Sequence, residues 1–464
     1  MGQSRKIRDP VHGFISLSEK EAEIVGTRIF QRLRGIRQLA LAALVYPGAL
    51  HTRFDHSLGV CHVSGLLADA LSLDPEETKL VRLAALVHDL GHGPFSHVSE
   101  YALELYCDRS KLGGRAKARE KIHELVTQDI LLLDPDLRRI VGERHCGKIA
   151  KLLSSGYGSP VLRGIVSGPL DADKQDYLLR DSFFCGVKYG VFDLQQLTRE
   201  LRVFEDPADS SRQLMVTTDG VHALEQFVLA KYYLTTQVYR HKVRLITDQM
   251  LVRAISLGIE VDGIEELRRL YAYDGTRDFV LRYVEWDDAR FLVTFGGRRY
   301  RGKSCHSMIQ RLCGRNLLKR VFECPLVELP GPARDCLSQV SEPERRPQRK
   351  KLERRLAKAV LAQAKQHIDP NFVIAHSYTI KSVRVQSRND EGPILIESKP
   401  RPLPFEEKST LFRSIDDRLN DAFIEVYAPV SYETPEERER LRRELHAPIV
   451  SLLSSFPEQQ GSQP

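Results

Sequence analysis

The chain has 464 residues, 42% of them hydrophobic and 28% charged, and its 69 Lys and Arg against 62 Asp and Glu leave a formal net charge of +7. That length implies one large body with attachments or two to three domains, and the mild basic excess suits anionic substrates without choosing one. No apolar run approaches the ~20 residues of a bilayer-crossing helix, and the eight cysteines form no Cys-x-x-Cys pair.

Free thiols in a reducing cytoplasm are therefore expected, in place of a membrane span, a disulfide framework or a zinc finger. Met1 to Lys6 leads into Asp9-Pro10 without an apolar stretch, so no secretory signal is expected, and Lys6 breaks the myristoylation pattern. Ile7 to Leu17 reads as a short strand pair or loop with turn signals at Asp9-Pro10 and His12-Gly13. From Glu19 the pattern turns helical. Phe30, Leu33, Ile36 and Leu39 recur at three-residue steps, while Arg28, Arg32, Arg34 and Arg37 fill other positions. A solvated face is the ordinary reading of such arginines, with phosphate contacts open to Arg32 and Arg34.

After Pro47-Gly48 a helix is expected through Leu58, Val60, Val63, Leu66, Leu67 and Ala70. Asp74-Pro75-Glu76-Glu77 ends it and starts the next, its acids complementing the positive helix N-terminus. That second helix delivers His88 and Asp89 at its C-terminal end. His97 to Leu105 and a segment opening at His123-Glu124 also read as helices, with a polar loop around Lys111 to Gly114 between them. A Gly- and Ser-rich connection at 154–159 leads to Ser167-Gly168-Pro169 and a helix through Asp181. At roughly 100° per residue, Asp173, Lys174, Tyr177 and Asp181 fall within about a 100° arc. Two carboxylates, an ammonium and a phenol on one face suit a site wall better than a core.

Gln213 to Thr217 reads as a strand, and one long helix is expected from about Val221 to Leu257. Residues 260–335 alternate helix and short strand signals. A charged, Pro-punctuated linker around Glu342 to Pro347 precedes a basic helix from Lys350 to Lys365, read as solvated ahead of a weak nucleic-acid patch. Phe372 to Val385, Ile394 to Ser398 and Phe423 to Tyr427 read as strands with a helix between. The expected fold is mainly α: a helical core with its extension over 1–335, a linker and basic helix start over 336–358, and a small C-terminal α+β region over 359–464.

Nine of the 15 histidines lie before residue 150. Three stand in His88-Asp89-Leu90-Gly91-His92-Gly93-Pro94-Phe95-Ser96-His97, where the Gly and Pro residues stop the helix. An adjacent His-Asp pair at a helix end can place an imidazole nitrogen and a carboxylate oxygen on one metal ion. His56, then His88-Asp89, then a distant Asp173 is the order of the HD phosphohydrolase superfamily, which this sequence resembles. The adjacent pair alone is a weak signal. The longer strings Arg53-Phe54-Asp55-His56-Ser57-Leu58-Gly59, His88 to His97, and Asp171-Ala172-Asp173-Lys174-Gln175-Asp176-Tyr177 are specific. They resemble the deoxynucleoside triphosphate triphosphohydrolase branch, the group of the vertebrate sterile-alpha-motif and HD-domain enzyme and its bacterial relatives. The likeness begins at Asp9-Pro10-Val11-His12-Gly13, is dense to Asp181 and returns at Tyr239-Arg240-His241-Lys242-Val243. With no sterile-alpha-motif stretch before it, a compact bacterial-type member is expected.

The resemblance implies a site. His56, His88, Asp89 and Asp173 would bind one divalent transition metal, Fe, Mn, Zn or Ni, with Mg²⁺ an option on the nucleotide phosphates. His92, His97 and His123 would surround the α-phosphate, His97 as general acid, with Glu100 where the family often has Asp. Arg53, Lys174 and Lys231 would hold phosphate oxygens, Lys231 replacing an arginine and so losing its planar fork. Tyr177 would close the 2′ position, Asp181 would accept from the 3′-hydroxyl, and Gln38, Leu39, Tyr239 and His241 would flank sugar and base. Water would attack the α-phosphorus of a dNTP and release triphosphate in one step. Arg34, Arg202 and Lys242 match basic residues of an intersubunit nucleotide-activator site. Gly26, Thr217 and Asp219 depart from it, which argues against a guanine-specific activator while leaving a homo-oligomer expected.

A purely structural role would bury Asp89 and Asp173 beside histidines with nothing to compensate them, which is costly. Two functional alternatives differ from dNTP hydrolysis. One is HD chemistry on another nucleotide or a nucleic-acid end, and the other is a nucleic-acid-binding or defence protein with a weakly active site.

Overall fold

In the computed structural model, residues 5–113, 121–154, 158–207, 212–380, 393–414 and 421–456 are described. The protein is mainly α, with strands concentrated in short pairs and in the C-terminal third. The chain divides into two compact units, one of Met1–Arg240, Arg269–Phe291 and Val383–Asp417, the other of His241–Arg268, Leu292–Ser382 and Arg418–Pro464. These units draw on both sides of residue 335, where the sequence suggests a boundary.

The first unit opens with an antiparallel pair, β1 (Arg5–Asp9) and β2 (Gly13–Leu17), paired from Arg5 opposite Leu17 to Asp9 opposite Gly13. Asp9 closes the turn, its Oδ1 accepting from the backbone of Val11 at 2.9 Å and His12 at 2.8 Å. The helix expected through Leu39 is instead broken into Glu19–Gly26, Arg28–Gln31 and a 3₁₀ turn over Arg32–Gly35. The three-residue spacing of Phe30, Leu33 and Ile36 is the period of a 3₁₀ turn, and all three are fully buried.

Helix α1 (Arg53–Ala70) starts where the Asp55 carboxylate accepts from the Thr52 amide at 2.8 Å. Helix α2 (Pro75–Val87) has Asp74 as N-cap, Pro75 in its first turn and Glu76 and Glu77 behind it, as its sequence prescribes. The two helices pack on each other through Val60, Val63, Leu67, Val81, Ala84 and Leu86, all 2% exposed or less. Each Val or Leu among them contributes about 1.5–3 kcal/mol of burial. Helices α3 (His97–Tyr106), α4 (Ile122–Leu133) and α5 (Ala172–Cys185) complete the bundle, α5 capped by the Asp171 side chain and ended by left-handed Gly186.

The long helix expected from Val221 to Leu257 is two. Helix α6 (Val221–Leu234) runs into a π turn over Thr235–Tyr239, and α7 (Lys242–Glu260) starts afresh in the second unit with His241 as its cap. No Pro or Gly marks the break, so the apolar periodicity passes over it. Strands β3 (Leu201–Glu205) and β4 (Arg212–Val216) pair antiparallel.

In the second unit, β5 (Lys319–Pro325) and β6 (Ile374–Ile380) flank a later strand, β9 (Asp421–Ala428), in an antiparallel sheet of order β5-β9-β6. Helices α8 (Arg346–Ala364) and α9 (Pro435–Ser454) cover one face through Leu352, Leu356, Val360, Leu445 and Ile449, packed on Phe322, Ile424 and Val426. The stretch read as a linker and solvated basic helix is thus partly core. Arg349 is 7% exposed and Glu353 4%, paired at 3.1 Å, and Glu353 also holds Arg253 at 2.5 Å. The strand expected at Ile394 to Ser398 shortens to β7 (Leu395–Ile396), which lies parallel to β4 and antiparallel to β8 (Leu403–Pro404) in the first unit. Residues 381–385 of the Phe372 strand, Gly114 and residues 155–157 lie outside the described residues.

Candidate metal and phosphate site

Helix α2 ends at His88, and the turn from His88 to Ser96 carries the chain to α3. The glycines of this turn do not supply its unusual backbone. Positive φ falls on Phe95 (60°) and Ser96 (52°), which costs roughly 1–3 kcal/mol each. Partners hold that conformation: the Phe95 amide donates to Asp288 Oδ1 at 2.7 Å, Ser96 Oγ donates to Arg37 O at 2.7 Å, and Arg53 Nε donates to Ser96 Oγ at 2.8 Å. Gly91 is required by proximity, because a Cβ there would run into His123 O and Thr127. Arg32 donates to the carbonyls of His92 at 2.8 Å, Trp286 at 2.9 Å and Leu90 at 3.3 Å. The phosphate role open to Arg32 is thereby replaced by pinning this turn.

His56, His88 and Asp173 each bring one donor atom within 4.8 Å of the others, and Asp89 stands beside His56 and His88. His56 Nε2 stands 2.9 Å from Asp173 Oδ1 and 3.8 Å from Asp89 Oδ2, and His88 Nε2 stands 3.2 Å from Asp89 Oδ1 and 3.8 Å from Asp173 Oδ1. Both Nε2 atoms are buried without a partner in hydrogen-bond geometry among the described residues. Donors at about 2.1 Å from one ion lie about 3.0–3.4 Å apart, so these spacings are close to a coordination sphere. The other ring nitrogens are committed: His56 Nδ1 to Asp176 Oδ2 at 2.8 Å, His88 Nδ1 to Ala85 O at 2.7 Å. Those bonds put the ring protons on Nδ1 and turn the Nε2 lone pairs to the cluster.

The charge balance favours a cation. Burial works against an imidazolium at His56, but Asp173 and Asp176 outweigh it and push its pKa up to about 10. Burial raises Asp173, yet His56 and His88 bring it down to about 2. Asp89 is likewise held well below the carboxylate range, against its burial, by Arg53 and His88. The donor set fits a divalent transition metal.

Arg53 is not simply a phosphate arm. Its Nη1 donates to Asp89 Oδ2 at 2.7 Å, while its buried Nη2 has no partner among the described residues.

Beside this cluster lie His92, His97, Glu100 and His123. His97 is 57% exposed at its side chain, and its Nδ1 donates to Glu100 Oε2 at 3.1 Å. His92 and His123 stack at 4.4 Å between ring centroids. Burial, with the Arg53 charge, lowers His92 to about 4, and burial holds His123 well below its ordinary value, so both are neutral at pH 7. Burial raises Glu100, but His123 and His97 hold it well below the usual range, so it is ionised.

Helix α5 turns Asp173, Lys174 and Tyr177 to a half-buried face, with Asp181 buried below them. Lys174 Nζ donates to Asp171 Oδ2 at 2.5 Å and Gly168 O at 2.9 Å. Tyr177 meets Tyr239 edge to face at 6.2 Å, and Tyr239 Oη donates to Asp181 Oδ2 at 2.5 Å. His51 Nε2 bonds the other Asp181 oxygen at 2.7 Å. Gln38 and Leu39 are buried in the first unit, Gln38 Oε1 without a partner among the described residues, and Lys231 lies in the last turn of α6. His241 begins the second unit, where its Nδ1 accepts from the Val243 amide at 3.3 Å.

Sequence reasoning passed over His12, His51, Asp176 and Arg180. Asp176 Oδ1 meets His12 Nε2 at 2.6 Å, Arg180 Nε reaches Asp176 Oδ2 at 2.9 Å, and Arg180 Nη1 reaches Asp9 Oδ2 at 2.8 Å. Gly59 makes room for this packing, since a Cβ there would overlap Asp176 and Arg180. The i,i+4 pair of Asp176 and Arg180 was a readable signal. Its link to His12 across 164 residues was not.

Two family models match the chain, the HD domain over residues 53–180 and the HD associated region over residues 192–432. With the second spanning over half its length, the chain belongs to the HD-domain family. It is 33% identical over 264 residues to the uncharacterized protein YwfO of Bacillus subtilis, covering 55% of this chain and 56% of that protein. To the deoxynucleoside triphosphate triphosphohydrolase SAMHD1 homolog of Dictyostelium discoideum it is 31% identical over 335 residues, covering 69% of this chain and 60% of the relative. To human SAMHD1 it is 29% identical over 351 residues, covering 68% and 55%. The chain thus spans between half and three fifths of these relatives. A hypothetical protein of Aquifex aeolicus shares the fold with a TM-score of 0.68 and 25% identity, covering 96% of this chain and 100% of that one. Among the described residues, no helix is long and apolar enough to cross a membrane.

Proposed function

We propose that the protein hydrolyses 2′-deoxynucleoside triphosphates to deoxynucleoside and inorganic triphosphate with a divalent metal ion. The observation that carries this is the convergence of His56, His88, Asp89 and Asp173 beside the α5 face of Lys174, Tyr177 and Asp181. The similarity to the deoxynucleoside triphosphate triphosphohydrolase SAMHD1 of human and its Dictyostelium discoideum homolog supports it. His56, His88, Asp89 and Asp173 would hold the ion, which supplies Lewis-acid polarisation of the phosphate and a more acidic water. Arg53 offers its spare Nη2 and Lys174 its ammonium to phosphate oxygens. The oxygen of water joins the α-phosphorus while the bond from phosphorus to the 5′ oxygen breaks, and the proton that the water sheds passes to solvent, from which His97 is reprotonated. His97, exposed at the rim with Glu100 on its Nδ1, donates the proton that the leaving 5′ oxygen takes up. Tyr177 and Tyr239 flank the sugar, and Asp181 accepts the 3′-hydroxyl alongside His51, since a carboxylate has about four acceptor sites.

The test is product analysis with the four dNTPs, the four NTPs, and dNDPs, with Mn²⁺ or Fe²⁺, with and without a second nucleotide. Triphosphate and deoxynucleoside in equal amounts are expected, and His88→Ala with Asp89→Ala should abolish their release. Turnover of another nucleotide class with none of any dNTP would discard the dNTP assignment and keep a phosphohydrolase. Turnover surviving the double substitution would discard the site.

A further inference from the structure

Glu100 puts its two oxygens to different uses. Oε2 pairs with His97 Nδ1 at 3.1 Å. Oε1 faces His123 Nδ1 at 3.3 Å and His92 Nδ1 at 3.7 Å. Neither of those nitrogens has a hydrogen-bond partner among the described residues, and the residues are only 8% and 4% exposed. Across the His92 ring, Nε2 stands 3.3 Å from Asp89 Oδ1. Two buried ring nitrogens without a partner, both facing one carboxylate oxygen, leave polar groups uncompensated unless a cation lies between them.

A proton would draw one nitrogen to the ~2.9 Å of an N–H···O bond. Instead Oε1 stands at the wider, similar distances of 3.3 and 3.7 Å from both. These are close to the edge lengths of a shared coordination sphere, and one donor atom from each of the three residues lies within 4.8 Å of the others. We propose that His92, Glu100 and His123 bind a second divalent transition-metal cation, Mn²⁺, Fe²⁺ or Zn²⁺, separate from the ion at His56, His88, Asp89 and Asp173. Two imidazoles and one carboxylate form a donor set these metals accept, with open positions for water or a phosphate oxygen. One oxygen of Glu100 faces both stacked rings while the other pairs with His97. This inference rests on the cluster itself and not on the identity of the nucleotide.

Metal counting tests it. The full chain is stripped with a chelator, dialysed to equilibrium against Mn²⁺ alone, and its bound metal measured by elemental analysis. Two ions per chain are expected, falling to one in Glu100→Gln and in His123→Gln, and to one in Asp173→Asn. The wild-type count needs no variant, so a substitution that fails to fold cannot hide the answer. Saturation of the wild type at one ion overturns the second site, as does a folded Glu100→Gln protein that still binds two. One ion, lost in Asp173→Asn and kept in Glu100→Gln, sinks this inference alone. No bound ion at all would sink the metal-dependent reading with it.

Discussion

His56 turns one nitrogen to the cluster and the other to Asp176, whose oxygens also meet His12 and Arg180. The carboxylate fixes which nitrogen of His56 carries the proton, and Arg180 and Asp9 fix the carboxylate. Asp176→Asn keeps the shape and one acceptor but removes the charge. Loss of such a supporting partner commonly weakens metal binding by about 10–100-fold. Competition against a calibrated chelator should show that loss in a protein whose circular dichroism is unchanged. A folded variant with wild-type affinity would mean that Asp176 serves only to neutralise Arg180. The residues that could be read from the sequence were those adjacent to each other. His88, Asp89, His92 and His97 share one string, and Asp173, Lys174 and Tyr177 share one helix face. Asp176 stands in the same string yet serves His56 from the side, and nothing local marks His12 or His51 as its neighbours' partners.

The turn between α2 and α3 shows what an element adds to its residues. In the sequence its Gly and Pro residues stop the helix, but the residues with left-handed backbone are Phe95 and Ser96. Phe95 packs edge to face on Phe291 at 5.4 Å, and Asp288 and Arg37 hold the backbone around it. Gly91 lets the turn press on α4 at His123 and Thr127, whose Oγ1 accepts from the Gly91 amide at 2.9 Å. Gly91→Ala must therefore displace either the turn or α4, an overpacking cost of about 1–3 kcal/mol. Thermal unfolding should shift down by several degrees, and metal affinity should fall with it because His88 and Asp89 adjoin the displaced turn. An unchanged midpoint would show that the turn yields without strain. Helix α2 and its cap were legible because Asp74-Pro75-Glu76-Glu77 carries its own start signal. The break after α6 and the pairing of β7 with β4 were not, because a π turn has no marker residue and a two-residue strand is defined by its partner.

Across the whole molecule, a half-buried histidine and a buried aspartate pull acid stability in opposite directions. His62 is held at about 4 by burial, then by the charges of His12 and Arg82, against the attraction of Asp176 and Asp9. Its unfolded value is about 6.5. Between those values the unfolded chain binds more protons than the folded one, so His62 removes stability as pH falls from about 6.5 to about 4. Asp288 is pushed up to about 6 by burial, despite the amides of Phe95 and Arg37 that it accepts from. An unfolded aspartate titrates near 3.9. There the folded chain binds more protons, so Asp288 adds stability as pH falls from about 6 to about 4. Urea midpoints at pH 7.0, 5.5 and 4.5 separate the two. His62→Gln should lose less stability than wild type on acidification, and Asp288→Asn should lose more. The comparison within each protein cancels whatever the substitution costs at neutral pH. Parallel midpoint curves for all three proteins would show that neither group changes its protonation on folding, and the acid response would then belong to the carboxylates held by Arg180 and Arg53.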